Sequence, residues 1–331
     1  MGVLNEGVID RIRPGVPHNR PIAAIDIGSN SIHLTLARVV DGRIDTFLCL
    51  KDPARLAAHL DREGALSPES INKAVATLGR FRDLADVHGA EIRAAATATL
   101  RAARNRDEFF QRALSEARVR VELITGNTEA RLAYLGVRHG LPRLDGRTVL
   151  TVDVGGGSTD LARGSGPMPD VTASAPVGSL AVTHRYLSDP VTRPKIRRAR
   201  QMVEGALAEP LKALRAAGFT EAIATSGSIQ RLARLVHPDA RSLHGTTITA
   251  RDIDQISHNL AQTRSAAERR RIPGMDPERA DSLLGGALVF QVLGRLLGIE
   301  SWLVSVTALR TGVILDTWQR RRRESAIISA I

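Results

Sequence analysis

Two short segments carry residues whose types and spacing suit phosphate chemistry. Ile25-Asp26-Ile27-Gly28-Ser29-Asn30-Ser31 and Val152-Asp153-Val154-Gly155-Gly156-Gly157-Ser158 lie about one domain length apart. Each reads as a buried strand, an aspartate, a turn of small residues, a hydroxyl and a second strand. Such hairpins expose backbone N–H groups into a concavity that suits an anion. Gly28, Ser29, Asn30 and Ser31, and Gly155, Gly156, Gly157, Ser158 and Thr159, are therefore candidate phosphate donors. Asp26 and Asp153 would repel phosphate, so their sensible roles are to hold Mg²⁺, usually through water, or to orient an attacking water. Ser226, Gly227 and Ser228 lie between a strand and a helix, where free N–H groups and the helix dipole favour anions. Glu129 opens a helix and is a candidate general base, and Arg101 follows a buried strand and could stabilise a transferred phosphoryl group. Each signal has a plainer reading: an ordinary tight hairpin, a serine N-cap, an acid favoured by the helix dipole.

The elements that must position these residues alternate between strand and helix. Strands are expected at Pro21–Ile27, Ser31–Val40 and Arg43–Leu50, with Asp41-Gly42 as a hairpin turn. Ser67-Pro68 starts a helix, continued by Ile71, Val75, Leu78, Phe81, Leu84 and Val87 at helical spacing. A strand at Glu91–Thr97, a helix at Arg106–Ala117, a strand at Val119–Ile124 and a helix at Glu129–Arg138 follow, and 140–146 reads as a linker. The second series has strands at Thr148–Val154, Thr159–Arg163, Val171–Val177, Ala222–Thr225 and Trp302–Val306. Its expected helices are Pro194–Ala217, Ile229–Val236, Arg251–Gln262, Ser282–Leu297 and Leu309–Arg320. The order argues α/β architecture. The expected division is an extension over 1–19, one domain over 20–139, a second over 140–318 and a basic tail over 319–331.

Composition narrows the class. Of 331 residues, 43% are hydrophobic and 24% charged, so a disordered or collagen-like chain is excluded. Cys49 is the single cysteine, which rules out an intrachain disulfide and fits a reducing, cytoplasmic setting. No secretory signal is read in the charged first 20 residues. The apolar stretch Leu283–Ile299 is interrupted by Arg295 and paired glycines, so no membrane partner is expected. The net charge is +11, and Lys51, Lys73, Lys195 and Lys212 are the only lysines among 46 basic residues. Arginine grips phosphate oxygens with a planar fork, although solvated helix faces account for such usage equally. Aromatic residues at 3% leave few platforms for stacking bases, so nucleic acid is not an expected partner.

The segments AIDIGSNSIHL, ATATLRAARN, ITGNTEARLAYLGV, LTVDVGGGSTDLARG and ATSGSIQRLARLV resemble, in order and spacing, the exopolyphosphatase / guanosine pentaphosphate phosphohydrolase family. IPGMDPERADSLLGGALVF and ALRTGVILD extend the likeness across residues 20–317. The resemblance implies two actin-like (ribonuclease H-like) domains with the active site in the cleft between them. It implies release of terminal phosphate from inorganic polyphosphate or guanosine pentaphosphate, with Mg²⁺. It gives Glu129 the role of base, Arg101 a phosphate-facing role, and Asp160, where glutamate is usual, a role in metal binding. The chain resembles a short form lacking further helical domains. It departs from the family pattern at Thr128, Ala224, His184, Val306 and Thr311.

Exopolyphosphatase activity leads these expectations. Guanosine pentaphosphate hydrolysis would use the same centre, and the departures from the pattern would suit a non-catalytic polyphosphate or alarmone sensor. A kinase or chaperone ATPase needs an adenosine-binding segment, for which Gly285-Gly286-Ala287 is the nearest counterpart. The run Arg320–Arg323 reads as a solvated helix end or a polyanion contact. A homodimer stays open.

Overall fold

The structure, a computed structural model, describes residues 20–61 and 63–330; the extension expected over 1–19 lies outside them. Ile22–Ile27 (β1), Ile32–Val40 (β2) and Arg43–Asp52 (β3) form an antiparallel meander. Asp41 and Gly42 turn β2 into β3 with φ of 49° and 77°, the left-handed pair that a two-residue hairpin needs. Pro68–Val87 (α1) is capped by the Ser67 hydroxyl and returns the chain to Glu91–Ala96 (β4), parallel to β1. Ala98–Ala102 (α2) and Arg106–Ser115 (α3) lead to Val121–Leu123 (β5), and Gly126–Gly140 (α4) follows. The first sheet has the order β3-β2-β1-β4-β5.

The same plan then repeats. Val149–Val154 (β6), Thr159–Gly164 (β7) and Val171–Ala175 (β8) form a second antiparallel meander. Helices Ser179–Tyr186 (α5), Arg193–Ala208 (α6) and Leu211–Ala217 (α7) lead to Glu221–Thr225 (β9), parallel to β6. After Gly227–Val236 (α8) come the edge strand Thr247–Thr249 (β10) and helices Ala250–Gln262 (α9) and Ala266–Arg269 (α10). Leu283–Leu297 (α11), Ser301–Val304 (β11) and Leu309–Ala330 (α12) complete the chain. Read from β8, the order β8-β7-β6-β9-β11 matches β3-β2-β1-β4-β5, with β10 added at the far edge.

Strand alternation decides which side each residue serves. Ala23, Ile25 and Ile27 face the outer core under α1 and α3, while Ile22 and Ala24 face inward with Leu309, Val313 and Ile314 of α12. Likewise Leu150, Val152 and Val154 join the outer core of the second sheet, and Val149 faces inward to Tyr134 and Val137 of α4. Asp26 and Asp153 continue the inward rows, so both project between the sheets.

The two inner helices change sides. α4, encoded with the first half, lies against β6, β7 and β8, and α12 lies against β1 and β2. They cross at small residues: a side chain on Gly136 would come within 2.0 Å of the Ala308 carbonyl, and one on Gly312 within 1.9 Å of the Leu132 carbonyl. The expected divisions at 140 and 318 therefore fall beside and within helices that pack on the opposite sheet.

Local differences have identifiable causes. The helix expected over Pro194–Ala217 is two helices, because Pro210 caps a new one after Glu209. The strand expected to Val306 ends at Val304, since the chain turns there toward α12. The expected basic tail continues α12. Arg321 is nearly buried, 2.6 Å from Glu91 and 2.7 Å from the Arg20 carbonyl, while Arg322 stacks over Trp318.

Candidate active site

The two hairpins are built alike. The Gly28 amide bonds the Ser31 carbonyl at 3.1 Å, and the Gly155 amide bonds the Ser158 carbonyl at 3.0 Å. These two amides close their turns and are not free for a ligand. The amides of Ser29, Asn30, Gly156 and Gly157 donate to no protein carbonyl among the described residues. Asp26 pairs across the ladder with His33, and Asp153 with Asp160. The hydroxyl of each turn then meets that partner: Ser31 and His33 are 2.8 Å apart, Ser158 and Asp160 2.7 Å.

The hairpins abut. A side chain on Gly156 would lie 2.8 Å from the Ser29 Cβ, and one on Gly157 2.9 Å from that of Ala98. Close approach is what the consecutive glycines permit, and at these two positions the approaching group is the other lobe.

A cleft of about 390 Å³ opens beside them. Gly28–Ser31, Gly155–Ser158 and Ser226–Ser228 line it, together with Asp26, Glu129 and Asp153. Ser226 takes φ 97°, in the left-handed region, and its hydroxyl accepts from the Ser228 amide at 3.2 Å. The bend starts α8 at the cleft wall, where a helix N-terminus suits an anion.

Glu129 occupies the first turn of α4, with Thr125 as N-cap. Arg101 from α2 donates to its Oε2 at 2.7 Å and to the Ile124 carbonyl at 3.0 Å, and reaches the Ser158 hydroxyl at 3.4 Å. The guanidinium thus ties Glu129 to the second hairpin; it is not itself among the lining residues. Burial raises the Glu129 pKa well above the usual carboxylate range, the Asp160 charge adds to this, and Arg101 opposes it. Burial lifts Asp26 to about 6, against the pull of Arg310, and lifts Asp153 to about 7 with help from Asp160 and Asp26.

Two expected ligands are placed behind the wall. Asp160 accepts from the Ser158 and Ser174 hydroxyls at 2.7 and 2.6 Å, one at each oxygen, and is not among the residues lining the cleft. It holds Ser158 in place from behind the cleft lining. Thr159 is fully buried and gives its hydroxyl to the Val177 carbonyl at 2.5 Å, which removes it from phosphate binding.

The residues fit a hydrated divalent cation in a limited sense. Among the described residues no three His, Cys, Asp or Glu side chains form a ready metal cage. Yet Asp26 and Asp153 face the cleft, and no side chain donates a hydrogen bond to either among the described residues. Unpartnered carboxylates with raised proton affinity suit Mg²⁺, which keeps several waters and shares its shell with substrate phosphates.

The cleft also holds cations that sequence reasoning did not single out: Lys51, Arg231, Arg279 and Arg310. Arg279 and Arg310 have no ion-pair partner among the described residues. Both lie in segments that carried the family likeness, but distance in sequence hid their convergence. His33 lines the same wall; burial and the charges of Arg310, Lys51 and Arg279 push it down to about 3, so its ring is neutral beside Ser31.

Two α/β lobes of one plan, with matched hairpins abutting over an acidic and arginine-lined cleft, define a phosphate-handling enzyme of the actin-like fold. The chain belongs to the Ppx/GppA phosphatase family, whose pattern it matches over residues 35–321, and is a phosphoanhydride hydrolase. It is 31% identical over 317 residues to exopolyphosphatase 1 of Mycobacterium tuberculosis, covering 93% of this chain and 91% of that protein. The crystal structure of the Aquifex aeolicus Ppx/GppA family member superposes with a TM-score of 0.78 at 28% identity, covering 91% of this chain and 98% of that one. An exopolyphosphatase structure from Cytophaga hutchinsonii gives 0.80 at 25% identity, with the same coverage. No helix among the described residues is long and apolar enough to cross a membrane.

Proposed function

We propose that the protein is an exopolyphosphatase that removes the terminal phosphate of inorganic polyphosphate. One observation carries this choice of substrate: the cleft is lined by Lys51, Arg231, Arg279 and Arg310 and by no Phe, Tyr or Trp among the described residues. It offers four cations for a polyanion, and the one ring in its lining among the described residues is the imidazole of His33, which is hydrogen-bonded to Ser31. The exopolyphosphatase 1 relative supports the same reading.

The terminal phosphoryl group would rest on the free amides of Ser29, Asn30, Gly156 and Gly157 and on the N-terminus of α8. Glu129 would take a proton from a water as its oxygen attacks phosphorus. The new P–O bond forms in line as the bridging P–O bond breaks, and its electrons pass to the shortened chain. Arg101 would hold Glu129 at its station and oppose in part the upward pull of burial on its pKa, which leaves a carboxylate with a strong affinity for a proton from water. Asp26 and Asp153 would hold Mg²⁺, which when bound offsets charge on the phosphoryl oxygens. A cytoplasmic setting, where Cys49 stays a thiol, suits these roles.

The test is phosphate release with Mg²⁺ from short polyphosphate, long polyphosphate and guanosine pentaphosphate, for the wild type and Glu129→Gln. Polyphosphate should be the faster substrate. The variant should lose at least ~10²-fold in turnover while retaining binding. Near-wild-type turnover in the variant would remove Glu129 as base. Faster release from guanosine pentaphosphate would replace the substrate, and binding without release from any would make the protein a sensor.

A further inference from the structure

The lobes also meet through an ion pair at the mouth of the cleft. Lys51, near the end of β3, donates to Glu278 at 2.8 Å. Glu278 lies between α10 and α11, so the pair joins the first sheet to the second lobe. The side chains keep 35% and 48% of their surface exposed, which puts the contact at the rim. Lys51 lines the cleft and Glu278 does not, while the next residue, Arg279, does. Asp276 accepts from the Glu278 amide at 3.0 Å and from Arg231, so the segment presenting Glu278 is fixed. The cations acting on Glu278 are Lys51 and Arg55, and they keep its carboxyl below the usual range and ionised.

We propose that the Lys51–Glu278 pair is a chain-length filter, in which Glu278 penalises any polyphosphate long enough to reach the rim. The proposal rests on the phosphoanhydride-hydrolase reading and adds to it a residue that selects the substrate. An exposed ion pair is weakly held, so a phosphate unit arriving at the rim can take Lys51 from Glu278. The carboxylate is then left facing the next phosphate, like charge against like charge. A short chain lying wholly inside the cleft leaves the pair intact and meets no such cost.

The experiment compares wild type, Glu278→Gln and Glu278→Asp on tripolyphosphate and long-chain polyphosphate. Both kcat/KM and equilibrium binding by competition are measured. Glu278→Gln should raise kcat/KM for the long chain about two- to fivefold and leave tripolyphosphate unchanged. Glu278→Asp keeps the charge and should keep the wild-type ratio. Equal effects of Glu278→Gln on both lengths, or Glu278→Asp behaving like Glu278→Gln, would overturn the filter. Absence of phosphate release from the wild type would instead count against the hydrolase reading. The ratio of the two binding constants would then decide the filter, with the same shift expected.

Discussion

Asp153 and Asp26 are set against their own burial. In the metal-free protein Asp153 titrates at about 7, against ~3.9 when unfolded. A raised folded-state pKa gives stability that is fully present below ~4 and lost as pH rises through about 7. The metal-free melting temperature should therefore fall between pH 5 and pH 8. Asp153→Asn should flatten that fall and melt higher at pH 8, while Mg²⁺ should raise the melting temperature of the wild type there. An unchanged pH profile in Asp153→Asn would show that this carboxylate does not carry the strain. On the proposed role in holding Mg²⁺, stability and function would be opposed at this residue, because the same recess keeps the carboxylate free of side-chain donors. At this scale much was legible. The Asp-turn-hydroxyl pattern marked both hairpins from residue types and spacing, whereas Glu129 read as an acid opening a helix and a candidate base until the family resemblance gave it that role. The placement of Asp160 and Thr159 was not legible: Thr159 lies one ladder position off the inward row, and Asp160, on that row opposite Asp153, is engaged by neighbouring hydroxyls. The partners that occupy them, Ser174 and the Val177 carbonyl, come from β8 and the loop beyond it.

At the scale of elements, the site depends on how α4 and α12 cross. α4 carries Glu129 in its first turn, and the first turn of α12 supplies Arg310 and Thr311 to the cleft. Gly136 and Gly312 set their separation. Gly312→Ala should cost ~1–3 kcal/mol by forcing the helices apart, and should lower turnover as Glu129 and Arg310 move relative to each other. Gly79→Ala, at a helical glycine with nothing within 4 Å, should be neutral or slightly stabilising and leave turnover alone. Denaturant midpoints and initial rates on the two variants check both halves of this expectation. Equal behaviour of the two would show that the crossing tolerates a methyl group. Periodicity located both inner helices but could not say where they pack. Leu309, Val313 and Ile314 make an apolar stripe that would suit either sheet. The break at Pro210 was written in the sequence, as proline within a helical pattern usually ends it.

For the whole molecule, the net charge of +11 acts on a polyanionic substrate before any contact forms. Steering of this kind weakens as salt shortens the Debye length. The KM for polyphosphate should rise by roughly an order of magnitude from low to physiological ionic strength while kcat changes little. Initial-rate measurements across a salt series test this, and a KM that ignores salt would confine the electrostatics to the cleft. The duplication was visible in the sequence as two like segments. The convergence of Lys51, Arg231, Arg279 and Arg310 was not, because each is contributed by a different element.

The return of α12 to β1 and β2 also has a consequence in time. On the ribosome, the strand face bearing Ile22, Ala24, Ala37 and Val39 is made long before its cover of Leu309, Val313 and Ile314. At ~5–20 residues per second, that face waits on the order of tens of seconds for its own last helix. The first lobe cannot cover that face until α12 has been made. Until then its inner surface stays open to chaperones or to a neighbouring nascent chain.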